Sequence, residues 1–338
     1  MTVYVIGGIN QDIVATSDNH LSPGETLTGN DLNYYHVGKG ANQAIAASRA
    51  GANVTMIGCT GNDAFGEGLR NYLADSGVDV SRVIAKENVP TGTALIVVAQ
   101  GENSIIVVLG ANETVGLDSI NTISFTADDI VVAQYETPIE TTLAAFKAAR
   151  RAGARTMLNP SPVVSTSQAL LDEIDVLVVN EHEFKSIFDV PLDPILTGNS
   201  ETPDNFSGTL VITLGSDGVI TWAEGKRIRQ TGRMVEAVDS TGAGDCFMGY
   251  LAATLHDKQD LVSAIALANQ AAAISVTRPG AASSIPQRQE LKCPNCRGVR
   301  ACVIYEVQQI RGAYYGSEHH DYIWGRIRTS CLSGSAGR

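Results

Sequence analysis

With 338 residues, 44% of them hydrophobic, the chain is long enough to bury one sizeable α/β core and still carry a small appendage. A formal net charge of −12 argues against a nucleic-acid footprint, which needs a basic surface, but leaves a small anionic substrate open through local dipoles. The start of the sequence has neither a basic leader nor a long apolar core, and no later run suits a bilayer, so a cytoplasmic protein without a membrane partner is expected. Cys59 and Cys246 stand alone in the main body and read as reduced thiols; the other four cysteines crowd the last part of the chain.

Residues 3–6 are an apolar run that predicts a buried parallel strand ending in Gly7-Gly8-Ile9-Asn10-Gln11-Asp12. Ligands of open α/β sheets collect at such carboxyl ends. There Asn10 and Asp12, two apart, can face one cleft and bind the hydroxyls of a sugar, or serve as ordinary turn formers. The Gly-x-Gly-x-x-Gly spacing of a dinucleotide site is missing. Residues 24–29, 33–37, 91–98 and 104–109 alternate and carry β-branched and aromatic side chains, which predicts four short strands in a separate small sheet. Such a sheet, uncovered on one face, needs a partner or acts as a lid, and His36 reads as a lid surface residue.

Between these strands Gly38-Lys39-Gly40-Ala41-Asn42-Gln43-Ala44 opens a helix that runs to Ala50 and stops at Gly51. Lys39 is no P-loop lysine, because Gly40 follows it and Tyr34 stands where that loop needs a glycine. The flanking glycines either let a polyol lie against the backbone or make a plain helix start with a solvated lysine. From Val54 onward strands and helices alternate, which predicts a doubly wound, mainly parallel sheet with helices on both faces. Its strands end in polar residues: Glu136, Asn159, Asn180 and the turn Thr213-Leu214-Gly215-Ser216-Asp217-Gly218. Asn180 and Glu183, three apart at a helix start, can orient water around Mg²⁺ and phosphates; a helix cap explains the pair equally well.

The chemistry concentrates in Asp239-Ser240-Thr241-Gly242-Ala243-Gly244-Asp245. An apolar run at residues 234–238 predicts a strand, the glycines a tight turn, and Phe247, Tyr250, Leu251 and Leu255 a helix. Amides freed at Gly242, Ala243 and Gly244 would point at the positive end of that helix and offer an anion site, with Asp245 beside it as a base for a hydroxyl that attacks phosphorus. An ordinary strand-to-helix turn with a first-turn acid is the alternative reading of this window.

Together with Thr60-Gly61-Asn62-Asp63, Asn180-Glu181-His182-Glu183 and Thr277-Arg278-Pro279-Gly280-Ala281, these motifs resemble the ribokinase-like (PfkB) carbohydrate kinases from about residue 3 to 290. The resemblance implies a kinase domain over residues 1–290, its β-lid drawn from about 12–37 and 90–110. It also implies ATP-dependent phosphorylation of D-ribose at the 5-hydroxyl to give ribose 5-phosphate. A kinase for 2-deoxyribose, another sugar or a nucleoside is the nearest alternative, and a sugar sensor without catalysis the rival of another class. Carried over by position, Asp245 is the base and Gly242, Ala243 and Gly244 the anion hole. Asn10, Asp12, Gly38, Lys39, Gly40, Asn42 and Glu136, with Asp245, hold the sugar. Asn180, Thr213, Leu214, Gly215, Ser216, Asp217, Gly218, Gly244 and Asn269 border the nucleotide, and Glu183 serves Mg²⁺ through water. A monovalent cation, K⁺ or another, falls to Asp239, Thr241, Ser275, Arg278, Gly280 and Ser284. A homodimer through the lid strands fits their uncovered face.

Two stretches depart from that pattern. Val37 stands where the family usually has a second glycine, and is expected to tighten the sugar pocket or shift its hinge; residues 191–208, where relatives tend to carry a helix, read as a loop. Beyond Leu291 nothing resembles the family. Cys293 and Cys296, with Cys302, His319, His320 and Cys331, contain half of a zinc pattern, but the rest lacks paired spacing, so the segment reads as an appended extension.

Overall fold

The computed structural model describes residues 1–291 apart from 101, 199–201, 224 and 225; the cysteine-rich extension and its zinc reading lie outside the described residues. In chain order the strands are β1 (Val3–Ile6), β2 (Asn10–Thr16), β3 (Asp31–Val37), β4 (Val54–Gly61), β5 (Val78–Lys86), β6 (Gly92–Ala99) and β7 (Glu102–Val108). They continue with β8 (Ile130–Ala133), β9 (Arg155–Leu158), β10 (Val176–Asn180), β11 (Thr209–Thr213), β12 (Val219–Ala223) and β13 (Lys226–Gln230). Nine of these form one sheet in the order β13-β12-β11-β10-β9-β8-β1-β4-β5, parallel except that β12 runs opposite to its neighbours β11 and β13, and four form a second sheet in the order β3-β2-β6-β7.

The large sheet is buried on both sides because its strands are apolar on both sides. Val3, Val5, Val132, Met157 and Val211 pack on one face with the helices Lys39–Arg49, Ala243–His256 and Leu261–Ser275. Ile6, Val131, Leu158 and Ile212 pack on the other against the helix Ile139–Arg151 and the rings of Phe184 and Phe188. Each such side chain contributes roughly 1.5–3 kcal/mol relative to exposure. From β1 the chain builds outward through β4 and β5 on one side and through β8 to β11 on the other. The crevice at a reversal of this kind is where open α/β sheets bind ligands. Gly7 and Gly8 leave β1 at that crevice, and Gln134 and Glu136 leave β8.

Several predicted elements require correction. Residues 24–29 are not a strand: Gly24 has φ 81°, the stretch is mostly exposed, and it links β2 to β3. The fourth lid strand is β2, whose Asn and Asp suggested a turn but whose seven residues pair with β3 on one side and β6 on the other. Residues 234–238 are apolar yet find no sheet edge. Met234 is 98% exposed, and the Val238 and Asp239 N–H groups both donate to the Val276 carbonyl instead. The stretch 191–208 contains the short helix Leu192–Thr197, begun after Pro191, with Leu192 and Ile195 buried and Gly198 closing it in the left-handed region. The strands β5 and β13 went unpredicted because charged residues interrupt their apolar alternation, and β12 went unpredicted although its five residues carry no charge.

Candidate active site

Asp245 lies in the first turn of the helix Ala243–His256, which starts without a side-chain cap. Gly242 precedes it at φ 72°, with Ala281 so close that an added Cβ would stand 2.9 Å from the Ala281 Cβ; only glycine suits that position. At Gly244, by contrast, a Cβ would meet nothing within 4 Å, so the helix start opens onto free space. The Ala243 N–H donates to the Ser240 carbonyl at 3.2 Å. Among the described residues the Gly242 and Gly244 N–H groups have no acceptor, so of the three predicted anion-hole amides these two are unengaged.

Both oxygens of Asp245 are held from the neighbouring helix Lys39–Arg49. Asn42 Nδ2 donates to one at 2.9 Å and Gln43 Nε2 to the other at 2.9 Å. Burial raises the Asp245 pKa, while the charge of Lys39 and these two amides oppose the rise. Gln43 is fully buried and is oriented in turn by Gln134, whose Nε2 donates to Gln43 Oε1 at 2.6 Å. Among the described residues the side-chain oxygen Oδ1 of Asn42 is buried without a partner.

The predicted sugar-binding residues converge from four segments. Gly38, at φ 106°, and Gly40 pack against the backbone of Gly7 and Gly8; a Cβ at Gly38 would come within 2.5 Å of the Gly8 carbonyl oxygen and one at Gly40 within 2.6 Å of the Gly7 carbonyl carbon. The Lys39 N–H donates to Glu136 Oε2 at 2.7 Å. Gly8 in turn leaves room for Glu136, since a Cβ there would lie 2.3 Å from Oε2. Burial pushes Glu136 up to about 7, with Lys39 opposing and the charges of Asp245 and Asp12 adding to it. Burial also pushes Asp12 up to about 6. Asn10 and Asp12 share one face of β2, as their spacing requires. Three carboxylates and one lysine thus face one crevice. Val37 is the buried last residue of β3, opposite Asn10. His36 is on the lid, its Nδ1 3.0 Å from Gln11 Oε1 and its ring 5.2 Å from that of Tyr72.

Asn180 and Glu183 form a capping box: the Glu183 N–H donates to Asn180 Oδ1 at 2.8 Å and the Asn180 N–H to Glu183 Oε2 at 2.9 Å. Asn159 Nδ2 reaches the same Glu183 oxygen at 3.3 Å, and Gln43 Nε2 reaches Asn159 Oδ1 at 3.4 Å, so one amide chain joins Glu183 to Asp245. Thr213 ends β11, its hydroxyl donating to the Val179 carbonyl at 3.3 Å. Leu214, Gly215, Ser216, Asp217 and Gly218 form a closed turn in which the Leu214 N–H donates to the Gly218 carbonyl. This turn packs on the segment after β13, where Asn269 Nδ2 donates to the Thr231 carbonyl at 2.9 Å.

The predicted cation residues come from two loops that the structure ties together. One Asp239 oxygen accepts from the Thr241 N–H and hydroxyl at 2.9 and 2.6 Å, and the other from the Gly280 N–H at 2.8 Å. Burial alone would raise the Asp239 pKa, but these hydrogen bonds outweigh it and hold the carboxyl below its ordinary value. Ser275 and Ser284 are buried, each donating to a carbonyl of its own turn and keeping lone pairs free. The Arg278 side chain points away, to Glu290. A carboxylate, the three hydroxyl oxygens of Thr241, Ser275 and Ser284 and the nearby carbonyls are hard oxygen donors and fit a monovalent cation. Among the described residues no three His, Cys, Asp or Glu side chains cluster as a metal site.

Sequence reasoning missed Gln43, Gln134 and Asn112 as parts of the site. Gln43 sits inside a quoted motif and Gln134 ends an apolar strand, and a glutamine after such a strand is the signal that was available. Cys59 and Cys246 are buried free thiols, as predicted.

Residues 2–288 match the profile of the pfkB family of carbohydrate kinases. A ribokinase of Haemophilus influenzae is 37% identical over 295 residues, covering 86% of this chain and 96% of its own length. One of Bacillus subtilis is 37% identical over 294 residues, covering 86% and 98%. The solved structure of Arabidopsis thaliana ribokinase complexed with ribose and ATP superposes with a TM-score of 0.79 at 28% identity, over 86% of this chain and 96% of that one.

Proposed function

Since the chain belongs to the pfkB family of carbohydrate kinases, we propose that it transfers the γ-phosphoryl group of ATP to the 5-hydroxyl of D-ribose, giving ribose 5-phosphate and ADP. The observation that carries this reading is the placement of Asp245. Its carboxylate is held by two amides of the helix that also presents Lys39, at the mouth of a glycine helix start with unengaged N–H groups. A hydroxyl brought there loses its proton to Asp245 as its oxygen bonds to the γ-phosphorus, and the bond from that phosphorus to the bridging oxygen breaks with ADP leaving. The Gly242 and Gly244 amides neutralise charge on the migrating group. Asn10, Asp12, Lys39, Asn42 and Glu136 orient the sugar, and the unpartnered Asn42 carbonyl oxygen suits a hydroxyl donor.

Mg²⁺, bound with ATP, would neutralise the phosphates, with Glu183 and Asn180 holding its water. K⁺ at Asp239, Thr241, Ser275, Arg278, Gly280 and Ser284 would stiffen the loop before Gly242 against the loop that ends at Gly280. Thr213 to Gly218 and Asn269 would border the adenosine. An assay of ADP release across pentoses and nucleosides tests the proposal. Ribose is expected to give the highest kcat/KM, and a nucleoside leading instead would overturn the sugar assignment. Replacing K⁺ by an organic cation is expected to lower the rate while circular dichroism stays constant.

A further inference from the structure

Asn112 belongs to none of the motifs above, yet it is fully buried in the turn Gly110–Thr114 and reaches across to β2. Its Oδ1 accepts the Ile9 N–H at 3.0 Å, and its Nδ2 donates to Asn10 Oδ1 at 2.6 Å and, at 3.4 Å, to the Ile9 carbonyl. The backbone N–H of Ile9 can only donate, so the Asn112 carbonyl must face it. The Asn112 NH₂ must then face Asn10, and Asn10 must offer its oxygen in return. No rotation of either amide satisfies all three groups otherwise. Gly92, opposite Asn10 in the lid, leaves space for the pair: a Cβ there would lie 2.3 Å from both Asn10 Oδ1 and Asn112 Nδ2.

We propose that Asn112 is a specificity-determining positioning residue, which locks the Asn10 amide with its NH₂ toward the sugar. Asn10 is thereby a donor only. Asp12, two residues along the same strand face, is an acceptor when ionised. A hydroxyl seated between them accepts from one and donates to the other, which no carbonyl and no deoxy position can do. A sugar lacking that hydroxyl leaves both groups unpaired, the condition under which enzymes discriminate most strongly. This inference rests on the reading of Asn10 and Asp12 as sugar ligands.

The test is steady-state kinetics with D-ribose on the full chain and on two variants, Asn112→Asp and Asn112→Ala, with melting temperatures measured alongside. The aspartate keeps an acceptor for the Ile9 N–H but obliges Asn10 to turn its NH₂ inward. The alanine merely frees the amide. Locking therefore predicts that Asn112→Asp raises KM by about 10-fold or more and Asn112→Ala by about 3-fold, each with kcat changed less than about 2-fold. If Asn112 only braces the turn, the order reverses: the alanine is the worse variant, kcat and melting temperature fall together, and the proposal is overturned. A wild-type protein that phosphorylates no pentose removes the sugar-site reading and this inference with it. Active wild type beside an unaltered KM in Asn112→Asp removes the inference alone.

Discussion

The two sheets are built from the same residues and live in opposite surroundings. In β1 and β8 of the large sheet, valines and isoleucines are at most 3% exposed, whereas every residue of β7 in the small sheet is exposed, Ile106 at 64% and Val107 at 55%. Across the small sheet Tyr34, Ile13, Leu95 and Ile106 stand in register as one row, of which Tyr34, Leu95 and Ile106 are exposed. Composition cannot tell the two sheets apart; what covers them does. The large sheet is closed by helices, two of which hold Asp245 between them through Asn42 and Gln43. The small one carries Asn10 and Asp12 on β2, which is paired on both sides and has no exposed residue, while its edge strand β7 is exposed throughout. On the proposed reading the base stands in the closed region, and the sugar is held from both, by Asn10 and Asp12 of the lid and by Lys39, Asn42 and Glu136 beside the large sheet.

Asp245→Asn should produce the largest effect, because it removes the proposed base from the closed region and changes little else. Turnover is expected to fall by about 10²-fold or more, with ATP affinity, read by calorimetry, nearly unchanged. A variant retaining most of its activity would move the base elsewhere.

Next in size comes the lid. We propose that the exposed row pairs two copies of the chain, so Ile106→Asp should weaken the dimer by about 10-fold or more, read as mass against concentration by light scattering. Wild type running as a monomer at every concentration would leave the lid without its cover and refute the pairing.

The difference between the sheets also decides what could be read in the sequence. The strands β1, β4, β8, β9, β10 and β11 and the helices Lys39–Arg49 and Ile139–Arg151 were legible to within a residue or two, since their apolar periodicity and their stops are local signals. The lid was legible as a sheet but not in its parts. The strand β2 carries the turn-forming residues Asn10 and Asp12 inside a ladder, and local preference misassigned it. Asp245 was visible because glycines announce a helix start. Gln43 and Asn112 were not, because an amide that orients another side chain has no periodicity of its own, and its partner lies 202 residues away in one case and 102 in the other.

The smallest expected effect separates the two regions by the proton. Glu136 is held by the large sheet and Asp12 by the lid, and burial raises both, to about 7 and about 6. For a carboxyl whose folded pKa is raised, the folded state keeps a proton that the unfolded chain has lost. Stability is then full below the unfolded pKa, near 4, and declines as pH rises through the folded pKa. Glu136→Gln keeps an acceptor for the Lys39 N–H and removes that decline. Without sugar it should match wild type near pH 4 and exceed it by about 1–2 kcal/mol at pH 8, while binding ribose more weakly. Asp12→Asn should show the same sign with a smaller gain, complete by about pH 7, because its shift is smaller. Urea unfolding of both variants at pH 4, 6 and 8 checks the order. A larger gain at Asp12 would mean that the lid encloses its carboxylate more tightly than the large sheet does, and the contrast between the two regions would have to be reversed.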